Sequence, residues 1–275
     1  MPQSQTRRRV HKIGKKKLFD KYELYQKAVQ SAETDVEFLR KVYREIRKKD
    51  PQLLREDFCG TFALSCEWIK LNKNFSAIGV DLDPEPLEYG KAHGFKKLNE
   101  SQQKRLRLIE QNVLKSGLPT ADIAIAMNFS YFVFKSREIM KQYFQNVYKS
   151  LKKNGIFVVD CFGGSHCFEA NEEKTNYKAF TYFWDQASYD PVTSRAQFYI
   201  HFKMKGQPKR ERVFIYDWRM WSIPELREIM QEVGFKKTHV YWEGTTKKGE
   251  GDGVFTRTEK GEECQSWIAY IAAEK

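Results

Sequence analysis

The chain has 275 residues, 41% of them hydrophobic, and 48 Lys and Arg against 36 Asp and Glu for a formal net charge of +12. That length fits one large domain, or one domain with an elaboration, burying roughly 70–75% of its unfolded surface. No run of about 18 apolar residues occurs, which argues against a membrane-spanning helix.

The opening stretch MPQSQTRRRVHKIGKKK lacks the apolar core of a secretory signal, so a cytoplasmic protein is expected. Cys59, Cys66, Cys161, Cys167 and Cys264 are then expected as reduced thiols. Their spacings match no zinc pattern, and no metal is expected. Arg7, Arg8, Arg9, Lys12, Lys15, Lys16 and Lys17 stand in this stretch with no acid among them. Residues 1–19 therefore read as a basic flexible tail, either solvated or an arm for a phosphate backbone.

Residues 20–50 read as a helical cap. Tyr22–Gln30 has a helical pattern carrying two tyrosines. Thr34-Asp35-Val36-Glu37 has the form of a capping box opening a second helix, with Val36, Leu39, Tyr43 and Ile46 at helical spacing. Arg47, Lys48 and Lys49 suit its negative end, and Pro51 lies beyond it.

Leu53–Asp81 reads as strand, tight turn at Cys59-Gly60-Thr61, helix, and a second strand ending in an acid. In such a βαβ unit the turn meets a nucleotide-like ligand, and the acid about 20 residues on takes ribose hydroxyls. Asp81 stands 21 positions after Gly60. Asp83-Pro84 starts the next helix. Further strands follow at Leu106–Glu110, leading into Gln111-Asn112-Val113, and at Ala121–Met127, apolar throughout like a buried parallel strand. Asn128-Phe129-Ser130-Tyr131 closes that strand. A helix from Ser136 carries the stripe Ile139, Met140, Tyr143, Phe144, Val147 and Leu151, and a fifth strand covers Ile156–Asp160. Strands alternating with amphipathic helices argue a doubly wound parallel sheet.

The pattern then changes. Three aromatic-rich runs, KAFTYFWDQ, AQFYIHFKM and ERVFIYDWRMW, have no helices between them and should pair antiparallel as a small inserted sheet. Ser222-Ile223-Pro224-Glu225 opens a last helix. Lys237–Trp242 and Gln265–Ala272, separated by a Gly- and Lys-rich loop, suggest a closing hairpin.

This order of parts resembles the class I S-adenosylmethionine-dependent methyltransferases from about Tyr22 to the C-terminus. The phrase LREDFCGT and the inserted aromatic segment resemble a bacterial, small-molecule-type subgroup with no assigned substrate. The resemblance implies an α/β fold, a doubly wound, mostly parallel seven-stranded sheet with a C-terminal antiparallel hairpin and a small inserted antiparallel sheet. The core would take residues 51–167 and 220–275, with residues 168–219 inserted over the active site.

The family's first motif is acid-x-Gly-x-Gly-x-Gly. Here Glu56 is the acid, with Asp57 a neighbour able to share its role, and Gly60 is the middle glycine. Phe58 and Phe62 replace the outer two, a departure where glycine would serve close approach or positive φ. Carried across by position, the cofactor S-adenosyl-L-methionine, leaving as S-adenosyl-L-homocysteine, would meet Tyr25, Glu56, Cys59, Gly60, Thr61, Asp81, Leu82, Asn112, Val113 and Asn128. The acceptor would meet Tyr22, Phe129, Ser130 and Trp184. Tyr131, Asp160, His166 and Asp185 are the catalytic candidates, the last three as general bases if the acceptor must lose a proton. A small-molecule acceptor is the leading expectation. RNA or protein methylation using the basic tail is the alternative. An NAD(P)-dependent oxidoreductase is disfavoured because Phe62 stands where pyrophosphate wants glycine. Oligomeric state is open, although the inserted sheet has the composition to pair across a dimer.

Overall fold

The computed structural model describes residues 19–246 and 251–275, so the basic residues Arg7 to Lys17 lie outside the described residues. The chain enters through α1 (Lys21–Val29), capped by the Asp20 carboxylate, which accepts from the N–H groups of Tyr22 and Glu23. Helix α2 (Ala32–Arg47) starts two residues before Thr34, with Ser31 at its cap position. The capping box expected at Thr34 and Glu37 does not form. Ala32 and Glu33 are good helix formers, and Glu33 and Asp35 suit the positive end of the helix, so the helix extends back to meet α1. Its stripe of Val36, Leu39, Val42 and Tyr43 is buried against the sheet.

The central layer alternates β1 (Leu53–Asp57), α3 (Ala63–Leu71), β2 (Ser76–Asp81), α4 (Pro84–His93), the short α5 (Glu100–Gln103), β3 (Leu106–Glu110), β4 (Ala121–Ala126), α6 (Arg137–Lys149) and β5 (Leu151–Gly163). A second group of strands follows, β6 (Asn171–Asn176), β7 (Phe180–Asp190), β8 (Arg195–Met204) and β9 (Lys209–Arg219). The chain ends with α7 (Ile223–Glu232), β10 (Lys237–Thr245), β11 (Gly251–Thr258) and β12 (Trp267–Glu274).

The main sheet has eight strands in the order β3-β2-β1-β4-β5-β12-β10-β11. The first five run parallel, and β12 lies antiparallel between β5 and β10. The expected count of seven is corrected by β11. Part of the Gly- and Lys-rich stretch pairs along the outer side of β10, and Phe255 on it packs its ring on Phe38 and Tyr270. The closing unit is therefore three strands rather than a simple hairpin. The smaller sheet is a four-stranded antiparallel meander, β6-β7-β8-β9, one strand more than the aromatic runs announced. Its extra strand, NEEKTN, is an exposed polar edge strand held to β7 by its backbone. Among the described residues no helix is long and apolar enough to cross a membrane.

Inside the main sheet, Arg55 and Asp57 are both fully buried. They pair bidentately, Nε to Oδ1 at 2.8 Å and a terminal nitrogen to Oδ2 at 3.1 Å. Tyr143 donates to the same carboxylate at 2.9 Å, and Arg55 also donates to Ser150 Oγ at 2.6 Å. Asp57 is thus committed to this network on one face of β1, while its neighbour Glu56 faces the other. It does not share the role of Glu56. Removing one partner would strand a buried charge, so Arg55→Met should lower unfolding free energy by about 3–5 kcal/mol in urea titration. A loss under about 1 kcal/mol would contradict this account of the network.

Candidate active site

Strands β1 and β4 are neighbours whose onward connections run to opposite edges of the sheet, and the crevice at their C-terminal ends is where such folds bind ligands. The chain leaves β1 through Phe58, Gly60 and Phe62, with φ of 58°, 52° and 46°. The two phenylalanines adopt the left-handed backbone that glycine would supply, at about 1–2 kcal/mol each. Their rings compensate. Phe62 is fully buried and fits against Gly90, where any Cβ would collide with it, and Phe58 packs on Phe134 and Tyr143 at 5.7 Å. Above Gly60 the space is open, with nothing within 4 Å of where a Cβ would sit.

Asp81 closes β2 beside this turn. Its Oδ2 accepts from the Gly60 N–H at 2.6 Å and its Oδ1 from the Asp83 N–H at 2.9 Å. Burial pushes its carboxyl up, opposed by those amides. Glu56 accepts from the Ser65 N–H at 2.9 Å and from the Ser65 hydroxyl, so it caps the first turn of α3, and burial pushes it up to about 8. Cys59 is buried and donates its N–H to Val80 O, while Thr61 Oγ1 accepts from Gln26 on α1 at 2.7 Å. Glu56, Cys59 and Thr61 therefore build the turn from below.

A cavity of about 470 Å3 opens in front of it, bounded by Phe58, Asp81, Leu82, Asn112, Val113 and Ser130 among others. Leu82, Val133 and Ile215 are exposed apolar side chains on this cavity. A second cavity of about 380 Å3 lies under the smaller sheet and takes in Phe129, His166 and Trp184. The two share Tyr25, Asn128, Tyr216 and Trp218. Both fall in the range of small-molecule sites, about 300–1,000 Å3.

The loop after β4 carries a second pair of left-handed residues, Asn128 and Phe129, with φ of 56° and 55°. Asp160, buried on β5, holds them. Its two oxygens accept from the Asn128 N–H at 2.6 Å and the Phe129 N–H at 2.9 Å, and burial pushes it up to about 7. Asp160 lines neither cavity, so its carboxylate positions the loop instead of facing an acceptor. Tyr131 is fully buried and donates its hydroxyl to Asp160 O at 2.6 Å, which likewise removes it from the reacting site.

Asp185 is misplaced for catalysis by strand alternation. Its neighbour Trp184 faces the cavity, so Asp185 faces away and meets His201 Nε2 at 3.0 Å. With Glu172 these two form the one His and carboxylate cluster among the described residues. His201 Nδ1 accepts from the Arg212 N–H at 2.7 Å, which leaves the proton on Nε2 to donate to Asp185, and Lys209 pairs with Glu172. The cluster is satisfied by hydrogen bonds and a lysine. Tyr22 stacks on Tyr89 with centroids 4.8 Å apart and lines neither cavity. The sequence reading passed over Tyr216 and Trp218, although their alternation on VFIYDWR places them on one face of β9.

Residues 57–159 match the family described as "Methyltransferase domain". This stretch is a methyltransferase domain. Solved structures with the same fold include an S-adenosylmethionine-dependent methyltransferase from Clostridium acetobutylicum ATCC 824, 16% identical over 92% of this chain and 96% of that one, with a TM-score of 0.63. Another is CalS10, an amino pentose methyltransferase from Micromonospora echinaspora, 13% identical over 94% and 99%, TM-score 0.65. A third is the sugar N-methyltransferase KedS8 from Streptoalloteichus sp. ATCC 53650, 14% identical over 99% of each chain, TM-score 0.61. A comparison with curated protein sequences gave no match.

Glu56 and Asp160, which flank the matched stretch on either side, are two buried acids that hold protons more tightly folded than unfolded. Their contribution to stability is complete below about pH 4 and is lost as pH rises through about 7 and 8. Urea unfolding should show stability falling between about pH 4 and 8, with the slope reduced in Glu56→Gln and Asp160→Asn. Stability that rises across that window would contradict the assignment.

Proposed function

We propose that the protein transfers a methyl group from S-adenosylmethionine to a small-molecule acceptor by in-line displacement, releasing S-adenosylhomocysteine. The observation that carries this reading is the pair of adjoining cavities, one running from Asp81 and Leu82 and the other under the smaller sheet, with Tyr25, Asn128, Tyr216 and Trp218 common to both. In this reading the ribose hydroxyls donate to lone pairs of Asp81 left over from Gly60 and Asp83. The adenine lies against Leu82 and Val113 beside Asn112, covering apolar surface that is otherwise exposed. The sulfonium sits at the junction, where the aromatic faces of Tyr25, Tyr216 and Trp218 stabilise a cation. The methyl then points into the second cavity, towards Phe129, Trp184 and His166.

The methyl is already activated, so the work of the protein is alignment and exclusion of water, and alignment can supply about 7–11 kcal/mol. A dinucleotide suits the site poorly. The Gly60 N–H is taken by Asp81 and the Ser65 N–H by Glu56, so the turn offers a pyrophosphate two carboxylates in place of free amides. A roofed acceptor cavity supports a metabolite-sized substrate over RNA, with residues 168–219 as the roof.

Isothermal titration of the full chain should show binding of both S-adenosylmethionine and S-adenosylhomocysteine. Asp81→Asn, which keeps an oxygen for the Gly60 N–H, should weaken both by roughly 10- to 100-fold through loss of charge-assisted hydrogen bonds to the ribose. No binding to the wild-type protein would overturn the reading, and unchanged affinity in the variant would remove Asp81 from it.

A further inference from the structure

The acceptor cavity has a charge character opposite to that of the molecule. The chain holds 48 Lys and Arg, yet none is among the described residues that line this cavity, which carries the carboxylates of Glu173 and Glu243. Glu243 is partly engaged, its Oε1 accepting from the Gly253 N–H at 3.0 Å. Glu173 is not neutralised. It stands on β6 directly opposite Trp184, and among the described residues it forms no salt bridge, whereas its neighbour Glu172 on the other face pairs with Lys209. The wall beside it is aromatic. Trp184 lies 6.0 Å from Tyr216 and 6.1 Å from Trp218, and Tyr216 and Trp218 are 4.5 Å apart.

Taken together, ring faces plus an unpaired carboxylate form a receptor for a cation. A phosphate or carboxylate brought here would lose its hydration with no Lys or Arg among the described lining residues to replace it, which is costly. An ammonium gains both the Glu173 charge and the ring faces. We infer that the acceptor is an amine-bearing small molecule without phosphate or carboxylate near its reacting end, and that Glu173, Trp184, Tyr216 and Trp218 select it. This rests on the methyl-transfer reading above. In the reaction, the bound ammonium releases one proton to solvent past Glu173. The freed nitrogen lone pair forms the N–C bond while the C–S bond breaks with its electron pair going to sulfur. The products are S-adenosylhomocysteine and a methylated ammonium.

The test uses the full chain saturated with S-adenosylhomocysteine, whose uncharged thioether leaves the acceptor cavity as the cation receptor. Choline and its neutral isostere 3,3-dimethyl-1-butanol are titrated separately by tryptophan fluorescence. Choline should bind about tenfold or more tightly than the isostere. Glu173→Gln should weaken choline about five- to tenfold while leaving the isostere and S-adenosylhomocysteine unchanged. Failure of choline to bind, equal affinity for the two probes, or indifference of choline to Glu173→Gln overturns the amine inference. Absence of S-adenosylhomocysteine binding in the preliminary titration would overturn the methyl-transfer reading instead, so the two failures are distinguishable.

Discussion

The hydrogen bond from the Gly60 N–H to Asp81 is the contact on which the site depends. It joins the turn that follows β1 to the last residue of β2, and the parallel register makes the meeting unavoidable. Asp57 pairs with Val80, and Cys59 then donates its N–H to Val80 O, so the turn arrives beside the acid. The bond fixes the carboxylate rotamer and leaves a cleft in front of it. It also secures a turn whose outer positions are phenylalanines in a glycine-like backbone. Residues held in such conformations persist only when the surroundings over-determine them, and here the surroundings are the Phe62 ring against Gly90, the Phe58 ring against Tyr143, and Asp81 itself.

The same device recurs at the neighbouring strand ends. Asn128 and Phe129 are both left-handed, and the acid of the adjacent strand, Asp160, accepts from both of their amides. These two loops, after β1 and β4, are therefore each strained locally and clamped by a carboxylate from the next strand over. Helix α1 adds a strap across the top. Gln26 reaches Thr61 in the turn, the Tyr89 hydroxyl donates to Asp20, and Leu24 packs among Phe180, Ile200, Phe202 and Met204 of the smaller sheet. Main sheet, turn and smaller sheet thus meet around Tyr25, one of the four residues common to both cavities.

Much of the fold was legible because buried parallel strands are apolar runs and the helices between them carry clear stripes and caps. Ala121–Ala126 is the plainest case. The strands that escaped, β6 and β11, are edge strands. Their sequences are polar or glycine-rich, and backbone pairing holds them, aided on β11 by the Phe255 ring against Phe38 and Tyr270. The spacing of Gly60 and Asp81 was legible because βαβ geometry fixes it. Side-chain direction was not. Nothing linear says that Asp160 turns its carboxylate to the Asn128 loop or that the Tyr131 hydroxyl goes to a buried carbonyl. Asp185 is different, because alternation alone shows that it and Trp184 cannot both face one cavity.

The account therefore stands on a nucleoside lying over the Gly60 turn with its sugar at Asp81. A crystal structure of the protein with S-adenosylhomocysteine tests this most directly. The account requires ribose hydroxyls within hydrogen-bonding distance of the Asp81 carboxylate, the adenine against Leu82, and the sulfur beside Tyr25 and Tyr216. A nucleoside bound elsewhere, or one whose sugar makes no contact with Asp81, would contradict it.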